Sequence, residues 1–184
     1  ILAAKRHVAM VGIAGSGKGT QGKMLADAKG FHLISMGEVL RMYVTGRQRE
    51  RMLAGGLLDD KEIIAIVDQV LTSLPDNEEV LLDGFPRTIP QAEWLLDQVK
   101  AGRFDLSQAF HLVASREAVK RRLMSRARID DKEEAIEERF NEYERSTAPI
   151  LDWLQKNAVE VINIDAVRSV EDVNQDIVNH LTKS

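Results

Sequence analysis

One short segment near the start of the chain, Gly12 to Thr20, restricts its possible folds more than anything else in the sequence. Gly12-Ile13-Ala14-Gly15-Ser16-Gly17-Lys18 follows the apolar run His7-Val8-Ala9-Met10-Val11 and leads into a helical pattern. That is the strand–loop–helix setting a phosphate-binding loop requires. Glycines let the backbone wrap closely around phosphate oxygens with its N–H groups pointing inward, and the helix dipole adds positive potential there. Lys18 supplies a full charge for the terminal phosphates. A glycine-rich turn with a surface lysine is the plainer alternative, and the flanking strand and helix weigh against it. The expected ligand is a nucleoside polyphosphate, ATP first. In one detail the loop departs from the general pattern: Gly19 follows Lys18, and the hydroxyl comes a position later, at Thr20. Magnesium is therefore expected to be held mainly by phosphate oxygens and water rather than by a hydroxyl of the loop.

A loop of this kind needs a parallel sheet behind it, and the rest of the chain supplies the pattern. Further apolar runs at Phe31–Ile34, Glu79–Leu82, Ala109–Val113 and Val159–Ile164 read as strands, separated by helical stretches. Ser35 with Glu38, Asp59 with Glu62, and Thr88 with Gln91 have the spacing of capping boxes. The last helix starts near Ser169 and repeats apolar residues at Val170, Val173, Ile177 and Leu181. Strand and helix in alternation predict an α/β fold, a five-stranded parallel sheet flanked by helices. With 184 residues, one domain is expected. Two stretches suit the core poorly: polar Thr45–Gly56 and the charge-dense Ser125–Glu138. In a doubly wound sheet such insertions belong near the carboxyl ends of the strands, where ligands bind.

Composition bounds the partners. A net charge of −4 argues against broad binding to nucleic acid or an anionic membrane, so a polyanionic ligand must be drawn by a local basic cluster. The absence of cysteine removes disulfides, thiolate metal sites and thiol catalysis. No apolar run approaches a membrane span and no signal-peptide pattern stands at the start, so a cytoplasmic setting is expected.

Candidate groups for the acceptor side follow the third strand. Asp83 ends that run and is well placed to order magnesium-bound water, although an Asp-Gly turn is the simpler reading. Arg87, after Gly84-Phe85-Pro86, can grip a phosphate in bidentate fashion. Gln91 can read a base edge or complete the capping box with Thr88, and its spacing does not choose between them. Arg41 on a short helix is by itself an ordinary solvated arginine. Arg122 and Arg126 lie four apart and share one helix face; Arg128 and Arg139 follow on either side of an acidic run. The bland reading is a solvated face laced with salt bridges. Phosphoryl transfer, whose transition state spreads negative charge over the transferred group, needs such a set of cations.

Taken in order, Gly12–Gln21 (GIAGSGKGTQ), Leu33–Arg41 (LISMGEVLR), Met52–Ile63, Leu81–Gln91 (LLDGFPRTIPQ) and Arg126–Tyr143 resemble the adenylate kinases, over nearly the whole chain. The likeness is to the short-lid type, with Arg126–Asp131 in place of a long, often zinc-bearing lid, which implies no structural zinc. It implies a P-loop fold with an acceptor-binding segment over residues 35–64 and a lid over 126–133. By the same likeness Gly15, Ser16, Gly17, Lys18, Gly19 and Thr20 form the ATP phosphate site. Arg122 packs on the ATP base, Arg126 contacts its phosphates, and the Arg168 carbonyl contacts the base. The AMP site comprises Met36, Arg41, Gly56, Leu57, Leu58, Gly84, Phe85, Arg87, Gln91, Arg128 and Arg139, with Gln91 reading the adenine. Lys18, Arg87, Arg126, Arg128 and Arg139 carry catalysis, and Asp83 serves magnesium through water. Met36 stands where the family usually has threonine, Glu38 where it usually has aspartate, Asp59 where it usually has proline, and Ala127 where it usually has glycine. The implied reaction is ATP plus AMP to two ADP by a monomer. A kinase of UMP or CMP, and a nucleotide-sensing module without turnover, are the alternatives; Thr88 and Gln91 favour adenine over pyrimidines.

Overall fold

The computed structural model describes residues 5–54, 58–75, 78–126, 128 and 131–181. Five strands, β1 (Lys5–Val11), β2 (His32–Ser35), β3 (Val80–Asp83), β4 (Phe104–Val113) and β5 (Glu160–Asp165), form one sheet in the order β2-β3-β1-β4-β5. Every pairing is parallel. The expected α/β architecture with a five-stranded parallel sheet is therefore the one present.

Each expected strand lies within a residue or two of its apolar run, except that β4 begins at Phe104 rather than Ala109. Asp105 and Gln108 interrupt the apolar pattern there, but Phe104 and Leu106 alternate into the core, as a half-buried strand allows. The buried Gln108 donates its amide Nε2 to Glu160 Oε2 at 2.9 Å.

Helices cover both faces. The interior strand β3 is buried along its length, as a strand covered on both sides must be. On one face Ala9, Val80, Leu82 and Ala109 pack toward α4 (Asp60–Ser73), α5 (Ile89–Lys100) and α8 (Ala148–Lys156). On the other Val8, Met10, Leu81, Phe110 and Leu112 pack toward α1 (Lys18–Lys29) and α9 (Val170–Leu181). A third cluster sits under the phosphate loop, where Ile13 meets Val119 and Leu123 of α6 (Arg116–Arg126) and Ile136 and Phe140 of α7 (Glu133–Glu142).

The charge-dense stretch Ser125–Glu138 thus joins the core more than its composition suggests, because Ala135 and Ile136 are buried on one face of α7. The polar stretch Thr45–Gly56 behaves as expected over its described part: α3 (Gly46–Leu53) buries none of its side chains. Between β2 and α3 lies α2 (Met36–Tyr43), and a π-helical turn (Tyr143–Thr147) links α7 to α8.

The caps are only partly those predicted. Asp59 accepts from the Lys61 N–H, but Glu62 instead receives Gln48 Nε2. Thr88 Oγ1 accepts from the Gln91 N–H at 3.4 Å, while the Gln91 side chain turns away from Thr88. Ser35 stands at the N-cap of α2 without capping it, because its hydroxyl donates to Asp83 Oδ2 at 3.3 Å. Among the described residues no helix is long and apolar enough to cross a membrane.

Candidate active site

The carboxyl ends of the strands open onto a cleft of about 560 Å³. Its floor is the phosphate loop, and every residue from Gly15 to Thr20 lines it. Gly15 sits at φ +82°, and a Cβ on it would come within 2.8 Å of Leu123 Cγ. Glycine is therefore required both by the turn and by the close packing of α6 against the loop. Ser16 Oγ is buried and has no hydrogen-bond partner among the described residues. Lys18 Nζ donates to the carbonyls of Gly12 (2.7 Å) and Ile13 (3.0 Å). Burial lowers the Lys18 pKa to about 8, with Arg87 and Arg126 pushing the same way and Asp83 opposing.

Asp83, at the end of β3, is 8% exposed and faces the loop. A Cβ on Gly19 would stand 3.5 Å from Asp83 Oδ2, so the residue after Lys18 adjoins the strand-end carboxylate. Beyond it the Phe85–Pro86 peptide is cis, and Arg87 Nε donates back to Gly84 O at 2.8 Å. A Cβ on Gly84, at φ +78°, would lie 2.8 Å from Arg87 NH2, so the glycine leaves room for the guanidinium. Burial and the charges of Arg139 and Arg41 lower the Arg87 pKa from its ordinary value, with Asp83 opposing. Cations from three separate elements thus crowd one place, a field that favours a polyanion.

The wall above the loop belongs to α6, α7 and the segment between them. Asp131, whose side chain is fully shielded, receives Arg126 Nε on Oδ2 (2.9 Å) and Arg126 NH2 on Oδ1 (2.6 Å). Arg139 NH1 reaches the same Oδ1 at 3.1 Å, and the Arg128 backbone N–H reaches Oδ2 at 3.1 Å. Burial raises the Asp131 pKa, but the bonds from Arg126 and Arg128 and the charges of Arg126 and Arg139 outweigh it, holding the carboxyl below its usual range. At the outer edge Arg122 NH2 donates to Ala166 O (2.8 Å), and Arg168 NH2 to Asp176 Oδ2 (2.5 Å).

Most residues expected at the site meet in this cleft. Arg41, Asp83, Gly84 and Arg87 line the side toward α2, and Arg122, Arg126, Arg128, Arg139 and Arg168 line the other. Met36, Leu58, Phe85 and Gln91 do not line it: all are buried beneath, the first three within the apolar core. Gly56 and Leu57, like Ala127, lie outside the described residues. Gln91, whose spacing allows either base reading or capping, sends Oε1 to the Arg87 N–H (2.8 Å) and Nε2 to Asp60 Oδ1 (2.8 Å).

Three groups at the site are not evident from the sequence. Asp131 is one of several acids in a charge run, and nothing in the spacing separates it from its neighbours. His111 on β4 places Nδ1 2.7 Å from Asn163 Oδ1 and Nε2 2.8 Å from the hydroxyl of Tyr143, a cleft-lining residue. Burial and nearby Lys18 lower its pKa, while the Asn163 bond opposes this. Ser35, which has the spacing of a cap, instead steadies Asp83.

Comparison with known proteins points to a single family. The family model described as adenylate kinase matches residues 10–159. The chain is 35% identical over 175 residues to the adenylate kinase of Corynebacterium urealyticum, covering 92% of this chain and 95% of that one. It is 33% identical over 179 residues to that of Synechococcus sp. (strain CC9902), covering 94% and 97%. To that of Bacteroides thetaiotaomicron it is 32% identical over 187 residues, covering 96% and 98%.

Proposed function

Because this chain belongs to the adenylate kinase family and is a nucleoside monophosphate kinase, we propose that Lys18, Arg87, Arg126, Arg128 and Arg139 carry phosphoryl transfer from ATP to AMP, giving two ADP. The observation that carries the residue roles is the convergence of cations from α1, the β3–α5 turn, α6 and α7 on one cleft at the carboxyl edge of a parallel sheet.

ATP enters with its phosphates on the loop from Gly15 to Thr20 and its base toward Arg122 and Arg168. AMP lies across from it, its phosphate toward Arg41, Arg87, Arg128 and Arg139. An oxygen of the AMP phosphate attacks the γ-phosphorus in line. As that P–O bond forms, the bond from γ-phosphorus to the β,γ-bridging oxygen breaks, and both nucleotides become ADP. The attacking oxygen is already largely anionic near neutral pH, so no general base is required. Lys18 and the arginines neutralise the charge spread over the transferred group.

Magnesium belongs to this reading as a companion of ATP. The donor set fits that role: Asp83 is a buried carboxylate beside the loop, and no group of three or more His, Cys, Asp or Glu is placed to hold a metal among the described residues. When bound, the ion neutralises charge on the β- and γ-phosphates, and Asp83 orders its water.

Residues 35–64 close over AMP and residues 126–133 over ATP, excluding water that would otherwise take the phosphoryl group. Exposed α3 supports a separable acceptor segment. The family likeness supports a monomer, and the nucleotide substrates a cytoplasmic setting. A coupled assay for ADP with AMP, UMP, CMP and GMP as acceptors tests the proposal. ADP formation that requires AMP is expected; equal turnover with UMP, or ATP hydrolysis without acceptor, sinks the assignment. A mass measured in solution decides the monomer.

A further inference from the structure

Gln91 is 2% exposed, and its carboxamide is gripped at both ends. Oε1 accepts from the Arg87 backbone N–H at 2.8 Å, and Nε2 donates to Asp60 Oδ1 at 2.8 Å. A peptide N–H only donates and a carboxylate oxygen accepts, so the two ends of the amide cannot be exchanged. Asp60 Oδ1 is itself fixed from a second side, since the Thr88 hydroxyl donates to it at 2.7 Å.

Asp60 opens α4, and an acid in a first turn ordinarily serves the helix dipole. The capping here is done by Asp59, which accepts from the Lys61 N–H at 2.9 Å, whereas the Asp60 oxygen is turned onto α5. What remains of the Gln91 amide is one N–H and one lone pair in a fixed order. A 6-aminopurine presents a donor at its amino group beside an acceptor at N1. A 6-oxopurine presents an acceptor beside a donor, the reverse order. A carboxamide free to rotate serves either edge; a clamped one serves a single edge.

We propose that Asp60 is a positioning residue for acceptor specificity, which clamps the Gln91 carboxamide in the orientation that accepts a 6-amino purine and refuses a 6-oxo purine. The proposal rests on the reading, implied by the family likeness, of Gln91 as the residue that meets the acceptor base; here Gln91 is buried beneath the cleft and bonded to Arg87, which lines it. It adds what that reading lacks, a reason for the amide to prefer one edge.

Steady-state assays with AMP and inosine monophosphate as acceptors test it on wild type, Asp60→Leu and Asp60→Asn. Leucine keeps roughly the volume and removes the acceptor; asparagine keeps an Oδ1 that both donors can reach. In the leucine variant the AMP-to-inosine-monophosphate ratio of kcat/KM is expected to fall about tenfold or more, with KM for AMP raised and KM for ATP within about twofold of wild type. Asparagine is expected to restore the ratio to within about threefold of wild type. An unchanged ratio in Asp60→Leu overturns the proposal, and so does an equal loss in Asp60→Asn. Should the leucine variant lack a cooperative thermal transition, Asp60→Ala takes its place, and an unchanged ratio there overturns the proposal equally. Wild type that uses both acceptors equally well overturns the reading of Gln91 itself. Wild type that prefers AMP, with an unchanged ratio in the variants, overturns only the role of Asp60.

Discussion

Arg126 and Asp131 meet as a two-pronged pair, with Nε on Oδ2 at 2.9 Å and NH2 on Oδ1 at 2.6 Å, and Arg139 shares the second oxygen. A carboxylate here occupies the position of a counter-charge between two arginines assigned to the transferred phosphoryl group. It holds them on the cleft wall while neutralising part of their field. The pair is therefore a balance between keeping the cations ordered and leaving them available to substrate.

Replacing Asp131 by alanine leaves Arg126 and Arg139 facing each other without that charge. Breaking a buried pair is more costly than breaking a surface one, and Arg126 is about one-third exposed, which screens part of the loss. A decrease of about 1–3 kcal/mol in unfolding free energy is expected in urea denaturation. Nucleotide phosphates supply the missing negative charge, so the decrease is expected to narrow when a nonhydrolysable ATP analogue saturates the variant. An equal decrease with and without the analogue counts against the shared use of these arginines.

Lys18 gives a pH dependence whose sign follows from its environment. Its pKa falls from 10.5 to about 8 in the folded protein, chiefly through burial. Between those values the unfolded chain binds the proton that the folded one has lost, so this residue makes stability rise with pH from about 8 to 10.5. Substrate binding runs the other way, because the phosphates need the cation. The kcat/KM for ATP is therefore expected to fall above about pH 8 in wild type. In Lys18→Met the rise in urea midpoint over that range is expected to flatten. A Lys18→Met profile parallel to wild type places the titration elsewhere.

Met36 separates the legible part of the site from the rest. The family resemblance puts it in the acceptor pocket, where a threonine is usual, and the missing hydroxyl there implies a weakened grip on the base. Its side chain is 1% exposed and belongs to the apolar cluster with Ile34 and Leu40. Met36→Thr is expected to cost about 1–3 kcal/mol, from the lost volume and the buried hydroxyl. KM for AMP is expected to stay within about threefold of wild type, and a change of about tenfold with unaltered unfolding would return Met36 to the pocket.

The phosphate loop and the sheet behind it are legible because each rests on a local rule. Gly15 must be glycine for backbone reasons that spacing announces, and strand and helix periods differ enough to be read one after another. The arginines are legible as residue types but not as a geometry. Nothing along the chain says that Arg126 and Arg139 converge on Asp131 rather than on Glu133, since that choice is made by packing of α7 through Phe140 and Ile136. The capping boxes mislead for a related reason. Ser35 and Gln91 satisfy the spacing, yet each finds a partner on another element, Asp83 and Asp60, that no local pattern contains.

Arg87 is the side chain on which the assignment of catalysis leans most. Its Nε donates to the Gly84 carbonyl, and Asp83 is close enough to offset part of the repulsion from Arg139 and Arg41. It is thus placed to exchange that carbonyl for a phosphate oxygen. Arg87→Ala is expected to lower kcat about a hundredfold or more, while the unfolding midpoint moves little. Arg87→Lys keeps the charge but not the fork and is expected to recover only part of the loss. Gly84→Ala approaches the same group from outside, because its Cβ would stand 2.8 Å from Arg87 NH2 at a backbone angle that disfavours any side chain. It is expected to lower kcat by displacing the guanidinium with ATP affinity nearly unchanged. Near-wild-type turnover in Arg87→Ala removes Arg87 from the catalytic set, and near-wild-type turnover in Gly84→Ala alone removes the link between the two.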